Sequence, residues 1–200
     1  MQINFKNKNS AALASILLLN ALYLICSYFF YGQLRLLPLY DFEESITLVK
    51  FAVWPYMLIQ TLTYYALILD SDTVYIKRWI ISSFTFAIIA AMLYQIFPTY
   101  YPSQSSIALN TNDLSERMIY ILRQYGTRNS SFPAFFIGIG FIAAFCKLIR
   151  APKVGILYFI IVCILAYCGL LIKQLYFSGI IASLIIAFVT SSISNLIIKR

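Results

Sequence analysis

Apolar residues fill six long runs along the chain, near 11–31, 46–69, 79–97, 132–149, 154–172 and 176–198, and polar residues gather in the breaks between them. Each run approaches the ~20 apolar residues that carry an α-helix across the hydrocarbon core, and a helix satisfies its own backbone N–H and C=O groups there. The pattern predicts an all-α integral membrane bundle of six transmembrane helices. Too little chain lies outside the runs for a soluble domain, so residues 1–200 are expected to form a single membrane domain. Lys6 and Lys8 precede the first run as they would a secretory signal. Its apolar stretch is longer than a signal core of ~7–15 residues, and no small-residue cleavage site follows Tyr31, so it reads as a retained helix. Pro55 is expected to kink the second run.

Among the breaks, only 98–131 is long. It opens on FPTYYPSQSS, where two prolines and several serines argue against regular structure. Further on, Asn112 or Asp113 can cap a short amphipathic helix reaching about Tyr125, with Leu114, Met118, Ile121 and Leu122 on one face and Gly126 as its stop. Such a helix is expected to lie in the membrane interface or over the mouth of the bundle, with Arg117 and Arg123 toward headgroup phosphates.

Composition agrees with the pattern: 62% of residues are hydrophobic, 11% are charged, and the mean hydropathy is +0.82. With the N-terminus in the cytoplasm, the inner breaks carry Lys6, Lys8, Lys77, Arg78, Lys147, Arg150, Lys153, Lys199 and Arg200. The outer ones carry Arg35, Lys50, Arg117, Arg123, Arg128 and Lys173, so Lys and Arg divide nine to six in favour of this orientation. Both termini are therefore expected in the cytoplasm, and topology accounts for the net charge of +8 without a nucleic-acid partner. No ionisable residue falls in the middle of a run, which leaves a proton-coupled transporter or a charged ion filter without support. Cys26, Cys146, Cys163 and Cys168 all lie in apolar runs and read as small packing residues. Histidine is absent, which removes the commonest general base and metal ligand; neither a metal nor a cofactor is expected. The abundance of Ile, Tyr, Asn and Lys points to a low guanine-cytosine genome and hence to the cytoplasmic membrane of a bacterium.

Three short stretches then fall at the outer ends of the later runs: IFPTYYP (residues 96–102), SSFPAFF (residues 130–136) and KQLYFSGIIAS (residues 173–183). In order and spacing they resemble the type 2 phosphatidic acid phosphatase superfamily, most closely its inositol phosphorylceramide synthase-like lipid phosphotransferases. The resemblance covers the second to sixth runs and implies an outward-facing lipid phosphate site. Active members carry Phe-Pro-Ser-x-His entering the fourth helix and His-Tyr-x-x-Asp entering the sixth. Here Phe132, Pro133 and Tyr176 match, while Ala134 replaces the serine, Phe136 and Leu175 replace the two histidines, and Gly179 replaces the aspartate. The basic residue expected near Pro102 is replaced by Ser103 or Gln104.

The family's reaction, as the resemblance implies it, needs one histidine to attack phosphorus, an aspartate to orient it and a second histidine to protonate the leaving alcohol. A chain without histidine cannot form that intermediate, so no catalytic residue is expected and Ala134, Phe136, Leu175 and Gly179 are degenerate positions. The expected function is that of a catalytically inactive relative, with membrane lipids and a membrane protein as the partner classes. Arg128 and Lys173, near the starts of the fourth and sixth helices, are the candidate ligands for a lipid phosphate. Two other readings stay open. One is an active phosphatase or phosphotransferase using Asp113 or Glu116 as base and Ser130, Ser131 or Tyr101 as nucleophile; the other is an unrelated six-span transporter. Helix entry alone also explains SSFPAFF, with Ser131 or Phe132 as cap and Pro133 near the first helical position.

Overall fold

The computed structural model describes residues 8–28, 37–58, 61, 72–99, 113–125 and 132–198, without the side chains of 8–9, 26–28 and 123–125. Its elements are helices: α1 (Lys8–Tyr28), α2 (Asp41–Ser45), a 3-10 turn (Lys50–Ala52) running into α3 (53–58), α4 (Thr73–Ile96), α5 (Leu114–Tyr125), α6 (Phe135–Leu148), α7 (Pro152–Leu171) and α8 (Phe177–Ile197). Three of them, α4, α7 and α8, are long and apolar enough to cross a membrane, and α1 and α6 contain shorter apolar helices. The helical membrane character read from the sequence is therefore present.

Local chemistry fixes the ends. Asp72 accepts the Val74 N–H at 2.9 Å and starts α4 ahead of the expected residue 79. Arg150 and Ala151 both return their N–H groups to Lys147 O, at 3.1 and 2.8 Å, and Pro152 then opens α7 at a position where its missing N–H costs nothing. The second run departs from expectation: residues 46–49 are not helical, because Val49 gives its N–H to Leu171 O at 3.1 Å instead of to a helix of its own.

At the centre stands α6, which packs against α4, α7 and α8, while α4 also packs against α1 and α8. Ten of the fourteen residues of α6 are buried, as expected of a helix apolar on all sides. Two glycines allow the close approaches. A Cβ on Gly138 would lie 2.1 Å from the Phe86 ring of α4, and one on Gly155 of α7 would lie 2.5 Å from the Leu148 backbone. Large side chains remain exposed on the outside of the bundle, among them Ile160 and Ile164 on α7 and Ile185 on α8.

One end of the bundle gathers the start of α4, the α6–α7 connection and the end of α8. Here Asp72 and Arg150 form an ion pair at 2.5 Å, and Lys147 sits 4.5 Å from the centre of the Tyr75 ring. Arg78, counted with a loop in the sequence, instead lies inside α4 and is 6% exposed, giving its guanidinium N–H to Ile198 O at 3.2 Å. That carbonyl belongs to the C-cap of α8, where a cation is favoured by the helix dipole. Deeper in, Ser82 Oγ lies 2.7 Å from Ser194 Oγ and 3.4 Å from Thr190 O, a polar seam between α4 and α8.

Candidate functional site

At the other end of the bundle the entries to α6 and α8 meet. The Ala134 N–H donates to Gly179 O at 3.2 Å, and Ser183 Oγ lies within hydrogen-bond distance of both Ala134 O (3.0 Å) and Gly179 O (2.7 Å). Two of the four positions set against the family's catalytic residues, 45 residues apart in sequence, thus share a backbone hydrogen bond. Tyr94 near the end of α4 adds a third element, donating its hydroxyl to Pro133 O at 2.7 Å. All of these groups are buried, and each bond of this kind is worth about 1 kcal/mol, more if one partner is removed and the other left unpaired.

The entry to α6 differs from the expected one. Ala134 is the N-cap, with φ −73° and ψ 94°, and α6 begins at Phe135; Pro133 precedes the cap and its bond to Phe132 is cis. Pro133 is therefore not near the first helical position. The backbone groups of Pro133 and Ala134 are spent on Tyr94, Gly179 and Ser183 rather than on starting a helix turn.

Phe136 and Leu175, which stand where the resemblance expects histidines, join the same apolar core by different neighbours. Phe136 meets Tyr23 of α1 edge-on at 4.7 Å between ring centres, beside the stacked Tyr23–Phe135 pair at 4.8 Å. Leu175 packs over Gly169, and a Cβ there would lie 2.4 Å from its Cδ1. An apolar cavity of about 60 Å³ opens beside Phe135, lined by Leu22, Tyr23, Ala91 and Tyr94 among others.

Between α7 and α8 the chain turns through a Schellman motif. Gln174 N–H reaches Gly169 O at 3.0 Å and Lys173 N–H reaches Leu170 O at 2.9 Å, with Lys173 in the left-handed region at φ 55°. The Lys173 ammonium donates to the backbone carbonyl of Glu43 at 2.5 Å. Burial draws its pKa below the ordinary lysine value, against the opposing pull of Glu43 and Glu44. Arg128, its expected companion, lies outside the described residues, as do Tyr101, Ser103, Gln104, Ser130 and Ser131.

Sequence reasoning missed Glu43, and no periodicity marks it. It is 1% exposed on the five-residue α2, and both carboxylate oxygens are used: Oε1 accepts the Phe177 N–H at 2.7 Å and Oε2 accepts the Tyr40 N–H at 3.0 Å. Phe177 is the first helical residue of α8, so the carboxylate fills one of the donor positions that a helix start leaves open. Phe42 and Tyr40 close over the same residue, with ring centres 5.1 and 6.1 Å from that of Phe177.

The short helix expected in the long break is present as α5, and Asp113 is its cap, accepting the Ser115 N–H at 2.9 Å. Its buried face is rotated only in part from the expected one: Met118 and Leu122 pack on the core around Ile119 as expected, whereas Leu114 and Ile121 are exposed and Ser115 and Glu116 are buried. Polar anchors explain the rotation: Glu116 pairs with Lys50, and Trp54 Nε1 donates to Ser115 Oγ at 3.1 Å. Glu116, a candidate base in the active-enzyme reading, is thus committed to Lys50. Among the described residues no group of three or more Cys, Asp and Glu gathers as a metal site would require. In comparisons with family models, curated proteins and solved structures, nothing matches the chain.

Proposed function

We propose that the protein is a multi-pass membrane protein of lipid phosphotransferase type that has lost its chemistry and keeps the scaffold, with a lipid phosphate as the ligand class of its outer end. The observation that carries this reading is the junction of Ala134 with Gly179 and Ser183. The resemblance requires the entries to the fourth and sixth spans to lie side by side with Phe136 near Leu175; the junction supports the first half, whereas Phe136 meets Tyr23 and Phe135 and Leu175 meets Gly169. Tyr94, two residues before the first of the three stretches, supports the junction further through Pro133.

In this reading the bundle has six spans with both termini in the cytoplasm, and the Glu43 end faces outward. The reacting groups are replaced by side chains with no proton to transfer, and Ala134 and Gly179 offer polar atoms only from their backbones. The apolar surroundings of Phe136 and Leu175 support loss of a hydrated, charged cleft.

Purified protein in detergent, given phosphatidic acid or a mixture of ceramide and phosphatidylinositol, is expected to release neither phosphate nor headgroup. Sustained release that disappears on replacing Asp113 or a residue of 130–131 would overturn the proposal in favour of an active enzyme. Transport of solute by reconstituted vesicles, with no response to anionic lipid, would favour the transporter reading.

A further inference from the structure

The polarity of α5 is inverted. Counted at about 100° per residue, Tyr120, Arg117, Ile121 and Leu114 follow one another round a single continuous arc of the helix. All four are exposed, Leu114 to 64%. The opposite arc holds Ser115, Ile119 and Glu116, which are buried, with Met118 and Leu122 packed beside Ile119. A helix lying on a protein in water turns its acids and hydroxyls outward. Here they point inward, Glu116 to Lys50 and Ser115 Oγ to the Trp54 indole N–H at 3.1 Å. The outer arc is left with three large apolar side chains and one cation.

The position of α5 in the bundle gives this inversion its meaning. The helix packs on the 3-10 turn that also contacts α7, and Ile119 shares a cluster with Cys168 and Ile172 at the end of that span. This is the level at which apolar spans give way to headgroups. The adjoining surface has the same character, since Trp54 is 39% and Phe51 73% exposed. Tryptophan and tyrosine concentrate at the boundary between membrane and water. A helix seated there sinks its apolar residues into the headgroup and acyl boundary and is drawn to anionic lipid by its cations. Glu116 is the only acidic residue of α5, and its pairing with Lys50 removes from the outer arc the one charge that would repel phosphate.

We infer that the outer arc of α5, formed by Leu114, Arg117, Tyr120 and Ile121, is a docking surface for the lipid leaflet at this end of the bundle, with Arg117 on the phosphate of an anionic lipid. The sequence pattern sets Leu114, Met118, Ile121 and Leu122 on one apolar face; the folded helix divides them, Met118 and Leu122 to the protein and Leu114 and Ile121 to the lipid. The surface goes beyond the function proposed above and stands apart from it, because it needs neither the junction of α6 with α8 nor loss of catalysis.

The test reconstitutes the full chain in phosphatidylcholine vesicles with an equal small fraction of one photoreactive probe, either phosphatidylglycerol or phosphatidylcholine, each carrying a diazirine near the top of an acyl chain. Adducts are located by peptide mass spectrometry. They are expected on Leu114, Tyr120 or Ile121 and on the exposed Ile160 and Ile164 of α7, and not on Ile119. The phosphatidylglycerol probe should label α5 about fivefold more than the phosphatidylcholine probe, the gain of one arginine at an anionic surface, while α7 takes up both alike. Arg117→Gln, a change at an exposed side chain, should abolish that preference and keep the adducts. Labelled α7 beside unlabelled α5 would overturn the docking surface, as would cross-linking of α5 to a second copy or to another protein in place of lipid. Equal labelling of wild-type α5 by both probes would overturn the assignment of Arg117. Turnover by the wild type, which would end the function proposed above, leaves each of these readouts unchanged.

Discussion

Lys173 occupies a backbone conformation that suits glycine, and it remains lysine while its amine holds Glu43 O. The left-handed region costs a residue with a Cβ about 1 kcal/mol relative to glycine. Lys173→Ala loses the amine and keeps that cost, whereas Lys173→Gly loses the amine and sheds it. Thermal unfolding in detergent should therefore rank the glycine variant above the alanine variant by about 1 kcal/mol. Gly138 poses the opposite case, because a methyl there collides with the Phe86 ring, which is 0% exposed. Gly138→Ala should cost about 1–3 kcal/mol, and adding Phe86→Leu should restore part of it. Neither residue could be assigned from sequence. A positive φ at a lysine has no compositional mark, and the glycine's partner lies on another helix. Arg78 was hidden for a related reason: reading apolar runs places a boundary after the last charge, although a guanidinium can enter the bundle when a helix C-terminus receives it.

Apolar length and end signals located α4, α6, α7 and α8 to within a few residues, apart from the early start that Asp72 gives α4. Those signals are local, so they survive folding. Where tertiary hydrogen bonds compete they fail: Val49 and Ala134 spend their N–H groups on distant carbonyls, and the expected helices start later. The same limit applies to α5, whose existence and cap were legible but whose buried face is chosen by Lys50 and Trp54. Polar contacts between helices in a membrane are modest in energy, since the unfolded chain also finds partners there. A double-mutant cycle on Ser82→Ala and Ser194→Ala should accordingly give a coupling of about 0.6 kcal/mol. A coupling indistinguishable from zero would mean that the 2.7 Å contact only fills space between α4 and α8.

For the whole molecule, the two ends of the bundle carry different chemistry, basic around Lys147, Arg150 and Lys153 and acidic around Asp41, Glu43 and Glu44. The orientation drawn from these charges expects an impermeant maleimide to label Glu44→Cys from outside intact cells and Lys153→Cys only after the membrane is opened. Reversed labelling would place the candidate site in the cytoplasm. The triple variant Phe136→His, Leu175→His and Gly179→Asp tests the proposed ancestry at the same scale, and the expected outcome under that proposal is trace phosphate release from phosphatidic acid. The juxtaposition of two motif stretches was legible because it follows from topology and span order; the Glu43 carboxylate at the start of α8 beside them was not. That carboxylate also bears on biogenesis. Glu43 emerges from the ribosome 134 residues before Phe177, the group that receives it. Until the last helix is threaded, the acidic turn has nowhere to dock, so a chain stalled short of α8 would display it to solvent, a ready mark by which unfinished copies differ from finished ones.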